Sequence, residues 1–202
     1  MRINRLAGWL CIGLVVGGAW ADSTSLEVTA DTFLIDGTPD NNAGAHSHVA
    51  AGTAGGGSSR RGLFLFDLTT LPPGATITSA VFQLAVVGDP LVGDVDSDFE
   101  ILAVTTPWGE GAQVGNSGSP ASPDEATWNS RLHGTAAWTT AGGDFTTPAL
   151  ATQFVSGVAM YEWTGPALLA QAQTWQASPA ANAGLLLRGQ SEGTGRTARR
   201  FG

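Results

Sequence analysis

The most restrictive feature of this 202-residue chain is its punctuation: from Asp31 onward, short β-rich runs are separated by Gly, Pro, Asn and Asp clusters. Strands are expected at Thr32 to Ile35, His46 to Ala51, Gly62 to Leu68, Ala75 to Val87, Phe99 to Thr105, Phe154 to Trp163, Leu185 to Arg188 and Thr197 to Phe201. In the third, Leu63 and Leu65 alternate with Phe64 and Phe66. Both its faces are apolar, which places it centrally in a sheet covered on both sides. One segment reads as helix, with Thr164 as N-cap, Pro166 in the first turn, and Leu168, Ala172 and Trp175 on one face. Many short antiparallel strands with one such helix predict an all-β, antiparallel jelly-roll sandwich whose short helix caps one end. Gly109 to Thr127 is too long for a bare connector and stands out as a candidate functional loop.

The N-terminus has the form of an export signal over residues 1–21. Arg2 and Arg5 are its basic start, Leu6 to Val16 its apolar core, and Ala19-Trp20-Ala21 its small-x-small cleavage pattern, which places the cut before Asp22. The apolar core is too short to span a bilayer of roughly 30 Å. Bulky Trp9 and Leu10 precede Cys11 where lipoprotein processing favours small residues, which argues against lipidation. The expected product is a secreted, extracellular or cell-surface protein with one domain, residues 22–202. It has no cysteine, so packing holds it, with a structural Ca²⁺ ion as a candidate aid. It has no lysine either, and seven arginines face seventeen Asp and Glu residues. Such acidity argues against nucleic acid and membrane insertion.

The arginines are unevenly placed: Arg60 and Arg61 form one pair, while Arg188, Arg196, Arg199 and Arg200 fall in the last fifteen residues. A guanidinium patch suits a carboxylate-bearing or sulfated ligand, with Trp138 and Trp163 as candidate sugar-stacking faces. The plainer alternative, favoured by composition alone, is that these arginines pair with nearby acids at strand ends. Asp94, Asp96 and Asp98 alternate like Ca²⁺ ligands but lack the glycine and distal glutamate of an EF-hand loop, so a solvated acidic turn competes. Asp22, Asp31 and Asp36 form a second, similar group. His46 and His48 share one strand face without the glutamate spacing of a cupin metal site. Glu110, Glu125, Glu162 and Asp144 are acids that no motif pairs for glycoside hydrolysis, and Tyr161 is the only tyrosine, so no catalytic residue is assigned.

Several motifs occur in an order that resembles the DNRLRE domain, also classed as carbohydrate-binding module family 96. They are Ala30-Asp31-Thr32-Phe33, Asn42 with Gly44, Arg61-Gly62-Leu63-Phe64-Leu65-Phe66-Asp67-Leu68 and Leu71-Pro72-Pro73-Gly74-Ala75. Pro107-Trp108-Gly109-Glu110-Gly111, Thr127-Trp128-Asn129, Ala170 to Trp175, Asn182 to Arg188 and Arg200-Phe201 follow. The resemblance covers nearly all of Asp31 to Gly202. It implies a secreted jelly roll found alone or attached to polysaccharide-degrading enzymes, some members binding acidic polysaccharide such as alginate, with no catalytic motif. It also implies a further strand after Phe201-Gly202, so the domain is expected to lack its last strand and to leave a sheet edge open to self-association. The cluster of Trp108, Glu110, Thr127, Trp128 and Asn129 reads as a folded-back corner before it reads as a sugar platform. Two functions follow as expectations: a non-catalytic module for an acidic polysaccharide, or a structural or adhesive surface protein without glycan affinity.

Overall fold

The computed structural model describes residues 9–16, 20–88 and 94–202. Its large sheet contains β1 (Trp9–Val16), β2 (Trp20–Ile35), β3 (Val49–Thr53), β4 (Ser59–Phe66), β5 (Thr76–Ala85), β6 (Ser97–Ala103), β7 (Ala151–Val155), β8 (Met160–Thr164), β9 (Leu185–Gly189) and β10 (Arg199–Phe201). The hydrogen-bonded order is β7-β6-β9-β4-β2-β1-β5-β8, and β3 and β10 branch from β4. The two ends of that order, β7 and β8, are consecutive in the chain and pack together, so the bent sheet nearly closes on itself. The all-β sandwich is the observed fold, jelly-roll-like and antiparallel.

Its helix α1 (Pro166–Ala177) packs on β5 and buries Leu168, Ala172 and Trp175. The side-chain amides of Gln173 and Gln176 donate to the carbonyls of Ile77 (2.8 Å) and Ala75 (2.9 Å). Gly165 takes the N-cap position in place of Thr164, because Thr164 is committed to the end of β8. The single strand expected over Phe154 to Trp163 is two strands. The Tyr161 hydroxyl donates to the Gly157 carbonyl (2.9 Å) and accepts from the Ser156 amide (3.1 Å), pinning the turn between them.

Residues 9–16, within the apolar core of the expected leader, form β1 between β2 and β5. Residues 1–8 and 17–19 of that leader, and residues 89–93 of the acidic turn, lie outside the described set.

Two apolar cores explain why β4 has no polar face. Inside the sandwich, Phe64, Phe66, Phe99, Leu185 and Leu187 meet Phe82, Leu84, Trp163 and Phe201. Ring pairs there stand edge-on, with centroids 5.2 Å apart for Phe64–Phe82 and 5.4 Å for Phe99–Phe201. On the outer face, Leu63, Leu102 and Leu186 join Leu34 and Val104 under a roof of irregular chain. Trp108, Trp128, Trp138 and Phe145 line its underside.

Two Asn-Ala-Gly triplets fasten this arrangement. The Asn42 carbonyl oxygen accepts from the Gly44 amide (2.9 Å), and its amide donates to the carbonyls of Glu110 (2.8 Å) and Ala126 (2.9 Å). Asn182 repeats the turn, accepting from Gly184 (3.0 Å) and donating to the Phe66 carbonyl (2.7 Å). Both glycines are required by close approach: a Cβ at Gly44 would strike the Glu110 carbonyl, and one at Gly184 the Phe64 carbonyl.

Asn42 is fully buried, so Asn42→Ala strands two carbonyls and two amides, most of them shielded from water. The expected loss is about 3 to 5 kcal/mol in urea denaturation. Asn41→Ala, which removes one exposed bond to the Ser117 carbonyl, should cost less than ~1 kcal/mol. Equal, small losses for the two variants would contradict this role.

Candidate functional site

A groove of about 270 Å³ opens on the outer face of β3 and β10. Strand alternation explains its lining. Val49, Ala51 and Phe201 face the inner core, so Ala50, Ala198 and Arg200 face out into the groove, with His48 just before β3. Arg60 reaches it from β4, Arg196 from the turn before β10, and Phe33, Asn116 and Asp94, the last facing Arg199 at 3.8 Å, also line it. The Arg60 guanidinium donates to the Asn116 carbonyl (3.2 Å). The Phe33 ring lies parallel to that of His48 with centroids 6.5 Å apart, and the His46 and His48 rings meet edge-on at 4.2 Å.

The groove is electropositive inside an acidic protein. Burial, the neighbouring His46 and Arg200 together push His48 down to about 4, and burial with Arg200 lowers His46 as well. Burial also lowers Arg60, against the favourable charge of Asp36 and together with the repulsion of Arg200. Both rings are therefore neutral near pH 7, and the positive charge resides on guanidinium groups. Among the described residues, no carboxylate forms an ion pair with Arg60, Arg196 or Arg200. Arg196 holds this position at φ 68°, a left-handed conformation costly for any residue with a Cβ.

The remaining expected ligand residues serve elsewhere. Arg61 makes a two-pronged pair with Glu192 (2.6 and 2.7 Å) and lies over the Trp128 ring. Arg188 pairs with Glu100 (2.6 Å) and covers Phe145. Arg199 lines the groove but is 3 % exposed, and its guanidinium faces Asp94 (3.8 Å) and Asp96 (3.1 Å). Strand alternation separates the members of each pair: Arg60 and Arg200 reach the groove, while Arg61 and Arg199 hold internal partners. Trp138 and Trp163 are corrected from stacking faces to core residues, 5 % and 0 % exposed. Their indole N–H groups donate to the carbonyls of Thr127 (2.9 Å) and Phe99 (2.8 Å). Phe154, at 55 %, is an exposed ring instead.

The calcium reading of Asp94, Asp96 and Asp98 is also corrected. Arg199 occupies the first two, Asp98 pairs across to β7, and among the described residues no three His, Cys, Asp or Glu side chains are grouped to hold a metal ion. In the second group the Asp22 side chain lies outside the described residues. Of the other candidate acids, Glu162 accepts from the side-chain amide of Gln83 (2.5 Å), and the remaining three bind backbone. Glu110 accepts from the Asp31 amide (3.0 Å), Glu125 from Ala112 and Ser122 (both 2.8 Å), and Asp144 from Thr139 (2.9 Å) and Thr140 (3.0 Å). The corner around Trp108 is thus a folded-back one, as the sequence suggested first.

Sequence reasoning did not place Phe33 or Asn116 at a site, and weighed His48 only with His46 as a metal motif. The strand expected from His46 starts only at Val49, so His46 and His48 lie in the bend before β3 rather than on a strand face. Neither a protein-family model nor a curated protein matches the chain. Among the described residues no helix is long and apolar enough to cross a membrane.

His48 makes stability depend on pH in a defined direction. Its folded pKa of about 4 lies below the unfolded value of 6.5, so the unfolded chain binds the proton more readily. This contribution is complete above pH 6.5 and is lost as pH falls towards 4. Urea midpoints between pH 7.5 and 4.5 should therefore fall less in His48→Gln than in wild type; parallel curves would count against it.

Proposed function

We propose that this chain is a non-catalytic, secreted module that binds acidic polysaccharide in the groove over β3 and β10, as its resemblance to the DNRLRE and family 96 modules implies. The observation that carries the reading is the meeting of Arg60, Arg196 and Arg200 around one concave surface, with no carboxylate ion-paired to them among the described residues. Guanidinium groups form directed, paired hydrogen bonds to carboxylate or sulfate oxygens. The neutral His48 ring backed by Phe33 offers a flat apolar surface beside them, suited to a sugar ring. A small-residue floor of Ala50 and Ala198 leaves the space open. The net negative charge elsewhere disfavours binding of a polyanion at any other face, so attraction is local and register is set by the arginines.

Affinity electrophoresis tests this directly, with alginate, pectate, chitosan, xylan or no polymer in the gel. Retardation by alginate or pectate is expected. Arg60→Ala and Arg200→Ala should each weaken it by about tenfold, the loss of ~1.5 kcal/mol for a charge-assisted contact. Arg61→Ala should leave the affinity of the folded protein nearly unchanged. Arg196→Gly separates binding from folding, because it relieves the left-handed strain while removing a cation: affinity falls and stability holds or rises. Unaltered migration of folded protein in every gel would defeat the proposal and favour the structural or adhesive alternative.

A further inference from the structure

The long loop from Gly109 to Thr127 touches the groove as well as the roof. Glu110 and Glu125 hold its two ends to backbone, while its tip, Val114 to Gly118, reaches the groove wall through Asn116. The tip is a closed turn. The Gly118 amide donates to the Gly115 carbonyl (2.9 Å), and the Ser119 hydroxyl donates to the Val114 carbonyl (2.8 Å). It is also fastened to the protein from outside. The Ser117 carbonyl accepts from the Thr38 hydroxyl (2.8 Å) and from the Asn41 side-chain amide (3.0 Å). Asn41 and Asn42 pair antiparallel with Pro120 and Ser119, so the tip hangs on the buried Asn42 anchor.

This anchoring sets Asn116 beside Arg60. The Asn116 carbonyl accepts one guanidinium N–H (3.2 Å), which orients the Arg60 fork and leaves its other donors for a ligand. The Asn116 residue is exposed, and its side-chain amide makes no hydrogen bond among the described residues. That amide supplies what the arginines lack. A guanidinium can only donate, whereas a sugar hydroxyl both donates and accepts; a carboxamide does both as well. We propose that the loop tip is the groove's selectivity element, with the Asn116 side chain binding hydroxyl groups of the sugar whose carboxylate Arg60 holds. The ligand class is thereby narrowed to hydroxyl-bearing polycarboxylates, chains of uronic acids, where charge alone would attract any polyanion. The inference rests on the groove's being a polysaccharide site.

Calorimetric titration compares alginate oligomers with polyacrylate of matched carboxylate number, a polyanion without hydroxyls, at one salt concentration. Asn116→Ala should weaken alginate binding about three- to tenfold, the range for a neutral hydrogen-bonding side chain, and polyacrylate binding by less than about twofold. Its urea midpoint should match wild type, because the side chain has no internal partner to lose. Thr38→Val combined with Asn41→Ala removes both side-chain bonds to the Ser117 carbonyl and leaves Asn116 in place. This pair should lower the ratio of alginate to polyacrylate affinity in the wild-type background and lower it no further in Asn116→Ala. An equal loss for both polymers in Asn116→Ala, or no loss for either, overturns the inference while the groove reading stands. Additive effects of the anchor pair and Asn116→Ala also overturn it. Folded wild type that binds no alginate defeats the groove reading itself, and this inference with it.

Discussion

The structure depends on burying both faces of β4, β9 and β6. A strand without a polar face cannot sit on the surface of a sandwich, so the chain must supply a second cover. Helices perform that service in α/β proteins; here irregular chain does it, and irregular chain leaves its own amides and carbonyls unpaired. The buried side chains beneath and within the roof answer that need. Asn42 takes two carbonyls and two amides, Glu125 takes two amides, Asp144 takes two more, and the indoles of Trp108 and Trp138 each take a carbonyl. The polar residues most suggestive of catalysis are thus employed in making a loop behave like a layer.

The same two-residue period sorts the arginines. Adjacent residues on a strand point to opposite faces, so an Arg-Arg pair cannot place both cations at one site. Arg61 turns to the roof, where Glu192, Trp128 and Phe145 neutralise and cover it; Arg60 turns to the groove. Arg199 turns inward against Asp94 and Asp96 and Arg200 outward. Each doublet therefore supplies one structural cation and one available cation. The cost of crowding the available ones is visible in the titration of their neighbours, since Arg200 lowers His46, His48 and Arg60 alike.

Fold class was legible because it rests on local signals. Turn punctuation, the alternation of Leu63 to Phe66 and the Leu168, Ala172, Trp175 stripe all report on a residue's immediate neighbours, and each corresponds to an observed element. Failures arose where the decision was made at a distance. A tryptophan carries the same apolar ring and N–H whether it stacks on a ligand or fills a core, and only the carbonyls of Thr127 and Phe99 decide for Trp138 and Trp163. Alternating aspartates look alike beside calcium or beside an arginine one hundred residues on. The groove was half legible: Arg60, Arg196 and Arg200 were in the candidate set, but distinguishing them from Arg61, Arg188 and Arg199 needed strand facing and the positions of Glu192, Glu100 and Asp96.

β5 joins the features that matter most. One edge carries β1, the other carries β8, and its end exchanges bonds with the last residue beyond β10, Ala85 and Gly202 donating to each other's carbonyls at 3.0 and 2.9 Å. Val86 also bridges to Phe201, directly beside Arg200. The strand that pairs with β1 is therefore also the strand whose end bonds the backbone of Arg200, one of the groove's cations, through the Val87 amide (2.9 Å). Phe82 makes the link mechanical as well as topological, since one ring packs on Phe64 and Phe66 of the opposite layer and on Trp163 of β8 while lying across from Leu10 of β1. In a close-packed interior such a ring has no slack to absorb a missing neighbour, so the completeness of the sheet at β1 and the geometry of the β10 groove are set by the same few side chains.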